Sequence, residues 1–323
     1  MGVQRYVNAV RNFDDVAVEL LWRLGREQHN STQPASWTLP EGLSSELLIS
    51  WPATYDWEPT ERWLCHLLAG FRNLVRVDRA DISGHPLSEG CIVTQFSYRG
   101  RSHRVAIDFS DYMDRICQQT LKGTTVYFKM QYRRGGYGDD KIIPGGYPVS
   151  SPYGYRFLPK LRQNCDVKPK RYNVYGRFGL RYSAELRQKA MAALSEAKDL
   201  GYEGGTRFVR NSRYLRDMAR SKIGIDLPGN GDFCFRLIDY LSIGVCVIGP
   251  RPRTELPVPL VDGEHIVYCR DDVSDLVSLC RRFLNDDQER ARIARNARDH
   301  FDRFLHRDQM ARYYLNRFLA AAA

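Results

Sequence analysis

The apolar positions of this chain fall into short blocks whose period changes along it. Leu47-Leu48-Ile49-Ser50-Trp51, closed by Pro52, predicts a strand, since so short a run ending at proline has no room for helical turns. Trp63, Leu64, Leu67, Leu68 and Phe71 recur at helical spacing and predict a helix over 61–73. Two strands, 91–98 and 103–109, are expected around a turn at Gly100-Arg101, then a short helix near 112–120 and a strand over 125–130. Upstream, Val16, Leu20, Leu21 and Leu24 give a mixed helical pattern that runs into a polar loop through Ser31, Thr32 and Pro34.

From Arg133 to Pro159 the text is rich in Gly, Pro and Tyr, a composition that suits a connector better than a helix or a central strand. It divides the chain into an amino-terminal unit, 1–160, and a carboxyl-terminal unit, 161–323. Beyond it the pattern alternates cleanly. Strands are expected at 172–176, 223–227 and 245–248, and helices over 184–200, 232–242 and 273–284, with further helices from Gln288 onward. Such alternation predicts an α/β fold, a parallel sheet with helices on both faces. The last helices are expected to cross back to the first unit.

Composition narrows the class without choosing a function. At 323 residues, 43% apolar and 27% charged, each unit is long enough to bury a core. No apolar run reaches 18 residues, and 1–11 lacks a secretory core segment, so the expected location is cytoplasmic, with no transmembrane segment. The eight cysteines show no CxxC pair and no Cys/His ligand spacing, which favours buried thiols over disulfides or zinc. Asn30-Ser31-Thr32 has the form of a glycosylation acceptor, set aside for want of a signal peptide. The net charge of +10 points to an anionic partner: a nucleotide diphosphate, an anionic surface contacted peripherally, or nucleic acid.

The strongest local signal lies between Ser221 and Pro250. A strand, the turn Pro228-Gly229-Asn230-Gly231 and a helix start make an anion site, because free backbone N–H groups and the helix dipole face the ligand. Gly229 and Gly231 let backbone approach a phosphate closely. Asp232, Arg236 and Asp239 stand at i, i+4 and i+7, so one helix face carries them. There Arg236 offers a guanidinium fork to a diphosphate, and Asp239 accepts from ribose hydroxyls. Arg177, Arg181 and Lys222 are further basic candidates for the phosphates. A plain tight turn followed by a surface ion pair would read the same way from spacing alone.

The run 214–223, then Pro228-Gly229, then Phe235-Arg236-Leu237-Ile238-Asp239-Tyr240 through Gly244 to Ile248, resembles the donor-binding block of exostosin-like and related GT-B glycosyltransferases, the group 1-like kind included. Asp262-Gly263-Glu264-His265, the tail to Phe318, and Tyr172 to Arg177 with Gly176 extend the likeness. It implies two Rossmann-like domains facing a cleft, and transfer of a sugar from a nucleotide-sugar donor, UDP- or GDP-linked, to a hydroxyl acceptor. It further implies that Phe235 lies within the donor-binding block. Asp239 stands where many members of the wider superfamily carry glutamate, which shortens the reach to the donor.

No DxD motif in an apolar setting appears, so no metal and no other cofactor is expected, and phosphate charge falls to the helix dipole and Arg/Lys. Candidate bases for the acceptor are Asp108 and Asp111, which follow a strand, and Asp232; each also reads as a turn cap or N-cap. Two rival readings stay open: a nucleic-acid-binding protein, or a glycosyltransferase acting on modified DNA, using the positive charge, and a nucleotide-sugar-binding module without turnover.

Overall fold

The computed structural model describes residues 16–18, 20, 21, 24, 34–55, 57, 59–82 and 90–323. Residues 1–11 and the Asn30-Ser31-Thr32 tripeptide lie outside them. Val16, Leu20, Leu21 and Leu24 are helical, as their spacing predicts, and the three leucines are exposed.

Two sheets organise the rest. The first contains β1 (Leu47–Pro52), β2 (Arg76–Ala80), β3 (Cys91–Tyr98), β4 (Arg101–Asp108), β5 (Val126–Lys129) and β6 (Ile142–Pro144), in the order β2-β1-β3-β4-β5-β6. Its pairs are parallel except at β3, which is antiparallel to both β1 and β4. The first unit is therefore Rossmann-like with one reversed strand. The β3–β4 turn falls at Arg99-Gly100, one residue before its expected place, and both residues have positive φ (49° and 75°), which suits a two-residue hairpin.

The second sheet is wholly parallel: β7 (Tyr172–Arg177), β8 (Tyr202–Gly205), β9 (Ser221–Ile225), β10 (Cys246–Pro250) and β11 (Val267–Cys269), ordered β11-β10-β9-β7-β8. The chain leaves β7 to one side for β8 and returns to the other for β9. The strand order thus reverses between β7 and β9, and in open α/β sheets the crevice outside the carboxyl ends at that point takes the ligand.

The helices are α1 (Thr60–Arg72), α2 (Gly154–Val167), α3 (Ala184–Glu196), α4 (Asn211–Ala219), α5 (Phe235–Ile243), α6 (Leu276–Asn285), α7 (Asp287–His300) and α8 (Arg307–Ala322), with shorter turns at Leu43–Glu46 and Gln118–Lys122. Gly244 ends α5 in the left-handed conformation (φ 90°), as a C-cap glycine should. One expectation is corrected here. The segment 133–159 holds edge strand β6 and the start of α2, with Pro159 inside that helix. Tyr155, Phe157, Leu158, Leu161 and Cys165 all bury along α2, and that burial offsets the roughly 3 kcal/mol cost of an interior proline. The expected boundary at 160/161 falls within α2.

The last helix does cross back. At Gly70 of α1 a Cβ would stand 2.6 Å from the Arg307 carbonyl oxygen, so only glycine lets α8 lie that close. Tyr314 stacks on Phe128 at 3.7 Å between centroids and donates to the Gly145 carbonyl at 2.8 Å. The eight cysteines are free thiols, five of them buried. Among the described residues no helix is long and apolar enough to cross a membrane.

Candidate active site

Outside the carboxyl ends of β7 and β8 lies a cleft of about 850 Å³, whose walls include Arg62 of α1, Ser150 of the connector, Arg177 and Phe178 at the end of β7, and Asn211 and Tyr214 of α4. A volume of this size suits a nucleotide-sized ligand. Both halves of the chain contribute, so the crevice of one sheet becomes a cleft between two.

Arg236, the second residue of α5, is largely buried, with its guanidinium 4.5 Å above the Phe178 ring. Its Nη1 donates to the Leu227 carbonyl at 3.3 Å and stands 3.6 Å from Asp226 Oδ1, while its Nε has no hydrogen-bond partner. Burial pushes the Asp226 carboxyl up to about 6 against the pull of Arg236 and Arg187. Arg187 of α3 donates to the carbonyls of Pro228 (2.9 Å) and Gly179 (2.5 Å), tying the loops after β7 and β9 together. A buried cation with an unused donor is what an incoming anion would complete.

Asp239 is buried too. Its Oδ1 accepts from the Ser150 backbone N–H at 2.9 Å, its Oδ2 has no partner, and burial pushes its carboxyl up to about 7. Ser150 lines the cleft, and its Oγ accepts from Asn211 Nδ2 at 3.1 Å, so the unpaired carboxylate oxygen sits behind the cleft wall. A raised carboxyl holds its proton in the folded chain at a pH where the unfolded chain has released it. Stability contributed this way is full below the ordinary carboxyl range and declines as pH rises toward about 7. Asp239→Asn should therefore match the wild type near pH 4 and be more stable at pH 8, by on the order of 3 kcal/mol. Urea unfolding at the two pH values measures it, and an unchanged pH slope in the variant would show the carboxyl is not raised.

The 228–234 turn does not stand open as the sequence implied, because it docks on the first unit. Gln131 and Phe233 bond reciprocally, Nε2 to the carbonyl at 2.9 Å and the Phe233 N–H to Oε1 at 3.1 Å. A Cβ at Gly231 would lie 2.4 Å from Gln131 Nε2 and 2.8 Å from the Asp111 carbonyl, so this glycine serves contact between units. Gly229 donates its N–H to the Gly231 carbonyl and accepts from Ser183 Oγ at 2.8 Å. Phe235 joins an aromatic bridge to Trp63 (4.5 Å) and Tyr147 (5.4 Å), with the Arg62 guanidinium 5.3 Å over its ring.

The three carboxylates considered for the base separate clearly. Asp108 is buried and fully engaged: Oδ2 accepts from Tyr127 Oη (2.6 Å) and Lys129 Nζ (2.9 Å), Oδ1 from Ser110 N and Oγ. It is a structural ion pair with no capacity left for an acceptor proton. Asp232 precedes α5, which starts at Phe235, so the expected shared face with Arg236 and Asp239 does not form; Asp232 turns to Arg253, bonding its backbone and guanidinium (2.9 Å). Asp111 lies between the units, its Oδ2 3.5 Å from Asn230 Nδ2, and burial raises its carboxyl.

Other expectations are redistributed. Arg177 pairs with Glu203 and donates to the carbonyls of Gly204 (3.1 Å) and Arg207 (3.4 Å), a brace within its own unit. Arg181 is exposed with its guanidinium 5.2 Å over Tyr182. Lys222 sits at the amino end of β9, where its charge acts on Asp287, far from the crevice. Gly176 leaves room for Phe178, whose ring a Cβ would meet at 2.8 Å. Sequence reasoning missed Asp226, Arg187, Gln131, Ser150 and Arg62. Asp226 alone carried a signal, an acidic residue closing an apolar strand one residue before the Pro-Gly turn.

Comparison with known proteins comes to the same region. The family model described as glycosyl transferase-like matches residues 155–316, which run from α2 into α8 and contain every strand of the second sheet. No curated protein matches. Among solved structures, an alpha-glucosyltransferase in complex with UDP and a 13-mer DNA containing an HMU base is 12% identical, with 64% of this chain and 67% of that chain covered and a TM-score of 0.42. A glycosyltransferase from Rickettsia africae is 13% identical over 64% and 65%, with a TM-score of 0.40. Sucrose-phosphate synthase from Thermosynechococcus elongatus is 17% identical over 58% and 54%, with a TM-score of 0.38. This chain thus spans about two thirds or less of their lengths, and likenesses so loose fix no substrate. The match over 155–316, half of the chain, encloses Asp226, Arg236 and Asp239 and places the chain in the glycosyl transferase-like family.

Proposed function

We propose that this protein transfers a sugar from a nucleotide-sugar donor, UDP- or GDP-linked, to a hydroxyl acceptor without an obligatory metal ion. The observation that carries the reading is a pair of buried groups without partners just behind two residues of the cleft wall: Arg236 Nε, beside Phe178, as a donor for phosphate, and Asp239 Oδ2, beside Ser150, as an acceptor for a ribose diol. The diphosphate lies against Arg236 and the start of α5, where the helix dipole favours negative charge. With Arg236 inside the site, charge on the leaving diphosphate is met by a fixed guanidinium in a low-dielectric setting. The acceptor approaches from the first unit, where Asp111 takes the hydroxyl proton. Arg177, Arg181 and Lys222 have no direct phosphate role in this reading.

A thermal-shift panel of UDP, GDP, ADP, TDP and CDP, with and without chelator, tests it. One diphosphate should raise the melting temperature, and chelator should leave that shift unchanged. No shift with any of the five would sink the donor site, and activity lost to chelator and restored by manganese would sink metal independence.

A further inference from the structure

The cleft wall carries one large aromatic side chain that is strongly exposed. Phe208 lines the cleft and is 87% exposed. A lone exposed apolar ring needs no explanation by itself. What marks this one is the scaffolding beneath it.

The loop between β8 and α4 is pinned at its stem on several sides. Tyr202 Oη donates to the Gly176 carbonyl at 2.7 Å and accepts from the Gly205 N–H at 3.2 Å. The Phe178 N–H bonds the Gly205 carbonyl at 3.1 Å, fixing the loop to the one after β7. Arg177, its side chain only 12% exposed, holds Glu203 and the carbonyls of Gly204 and Arg207, the residue before Phe208. At Gly204 a Cβ would stand 2.0 Å from the Gly176 carbonyl, so the stem is packed too tightly for any side chain there. A buried arginine and a tyrosine hydroxyl thus hold the span 203–207, directly before the exposed ring that lines the cleft.

We propose that Phe208 is the stacking platform for the donor's nucleobase. The inference rests on the nucleotide-sugar reading above. Ribose at Asp239 and Ser150 leaves the base to extend along the wall that Asn211, Val209 and Phe208 continue. A flat heteroaromatic base covers a phenyl face at little conformational cost, because the loop is already held. Stacking sees the π-face of every base, so Phe208 supplies affinity and leaves discrimination between bases to polar groups. Arg177 acts as the positioning residue for this platform.

Calorimetric titration of Phe208→Ala and Phe208→Trp decides it, using the nucleoside diphosphate that binds wild type most tightly and inorganic pyrophosphate as a base-free probe. Phe208→Ala should weaken the nucleoside diphosphate by roughly 5- to 150-fold and leave pyrophosphate unchanged. Phe208→Trp should restore affinity to within a few fold, with its fluorescence quenched by the nucleotide. Nucleoside diphosphate affinity in Phe208→Ala within twofold of wild type would overturn the platform while the donor site stands. A wild type that binds no nucleoside diphosphate overturns the donor site itself, and the platform with it.

Discussion

Arg236→Ala is expected to lose nucleotide-sugar turnover, with kcat/KM lower by roughly 100- to 1,000-fold, and to lose most of its affinity for the nucleoside diphosphate. The guanidinium is buried, held over Phe178 at 4.5 Å, and keeps Nε unused, so an anion reaching it meets a fixed donor and expels little ordered water. Lysine would not replace it, since an ammonium lacks the planar fork and would leave the Phe178 face uncovered. The variant also strips Asp226 of its partner, and leaving a buried charge unpaired costs about 3–5 kcal/mol. Asp226, already raised to about 6, relieves part of that by taking a proton. Destabilisation should therefore be larger at pH 8 than at pH 6, and Arg236→Ala with Asp226→Asn should regain stability without regaining binding. Wild-type nucleotide affinity in Arg236→Ala, measured by calorimetry on folded protein, would exclude Arg236 from the donor site.

Asp111→Asn should lower kcat by roughly 100- to 10,000-fold while nucleotide affinity stays near wild type. The amide is isosteric and keeps an oxygen to accept from Asn230, so the contact between units persists. What is lost is the capacity to take a proton. Burial raises this carboxyl, which moves its basicity toward working pH and makes it a better acceptor of the hydroxyl proton than an exposed aspartate. The acidic limb of the kcat–pH profile should vanish with the variant. A kcat within a few fold of wild type, or an intact acidic limb, would remove Asp111 as the base.

Local elements were legible in both halves, and in the first β1, α1, β3, β4 and β5 lie within two residues of their expected places. The second half alternates apolar strands with amphipathic helices, and each strand sits between two helical layers, so its pattern is strong and local. Strands β7, β9 and β10 and helices α3, α5 and α6 were predicted within a few residues, with Gly244 as the cap of α5. The short edge strands β2, β8 and β11 were not, since two half-buried strands and a three-residue one carry little apolar periodicity. Helix α2 was hidden by Pro159 and by the glycines before it, and only burial against α4 and α5 stabilises it.

For the site, spacing together with the family resemblance brought forward Arg236 and Asp239 as candidates, because a strand, a Gly-rich turn and a helix amino terminus are contiguous in the chain. Which groups face each other across 89 to 119 residues was not there to be read. Ser150 meets Asp239, Gln131 meets Phe233 and Asp111 meets Asn230 only because the connector folds back and the 228–234 turn docks on the first sheet. The same docking turned Asp232 toward Arg253, and Lys129 claimed Asp108. Sequence determines the local elements here, since their signals are periodic and short-range. The tertiary structure decides which carboxylates and guanidiniums stay unpaired, since pairing is settled by burial and by partners far away in the chain.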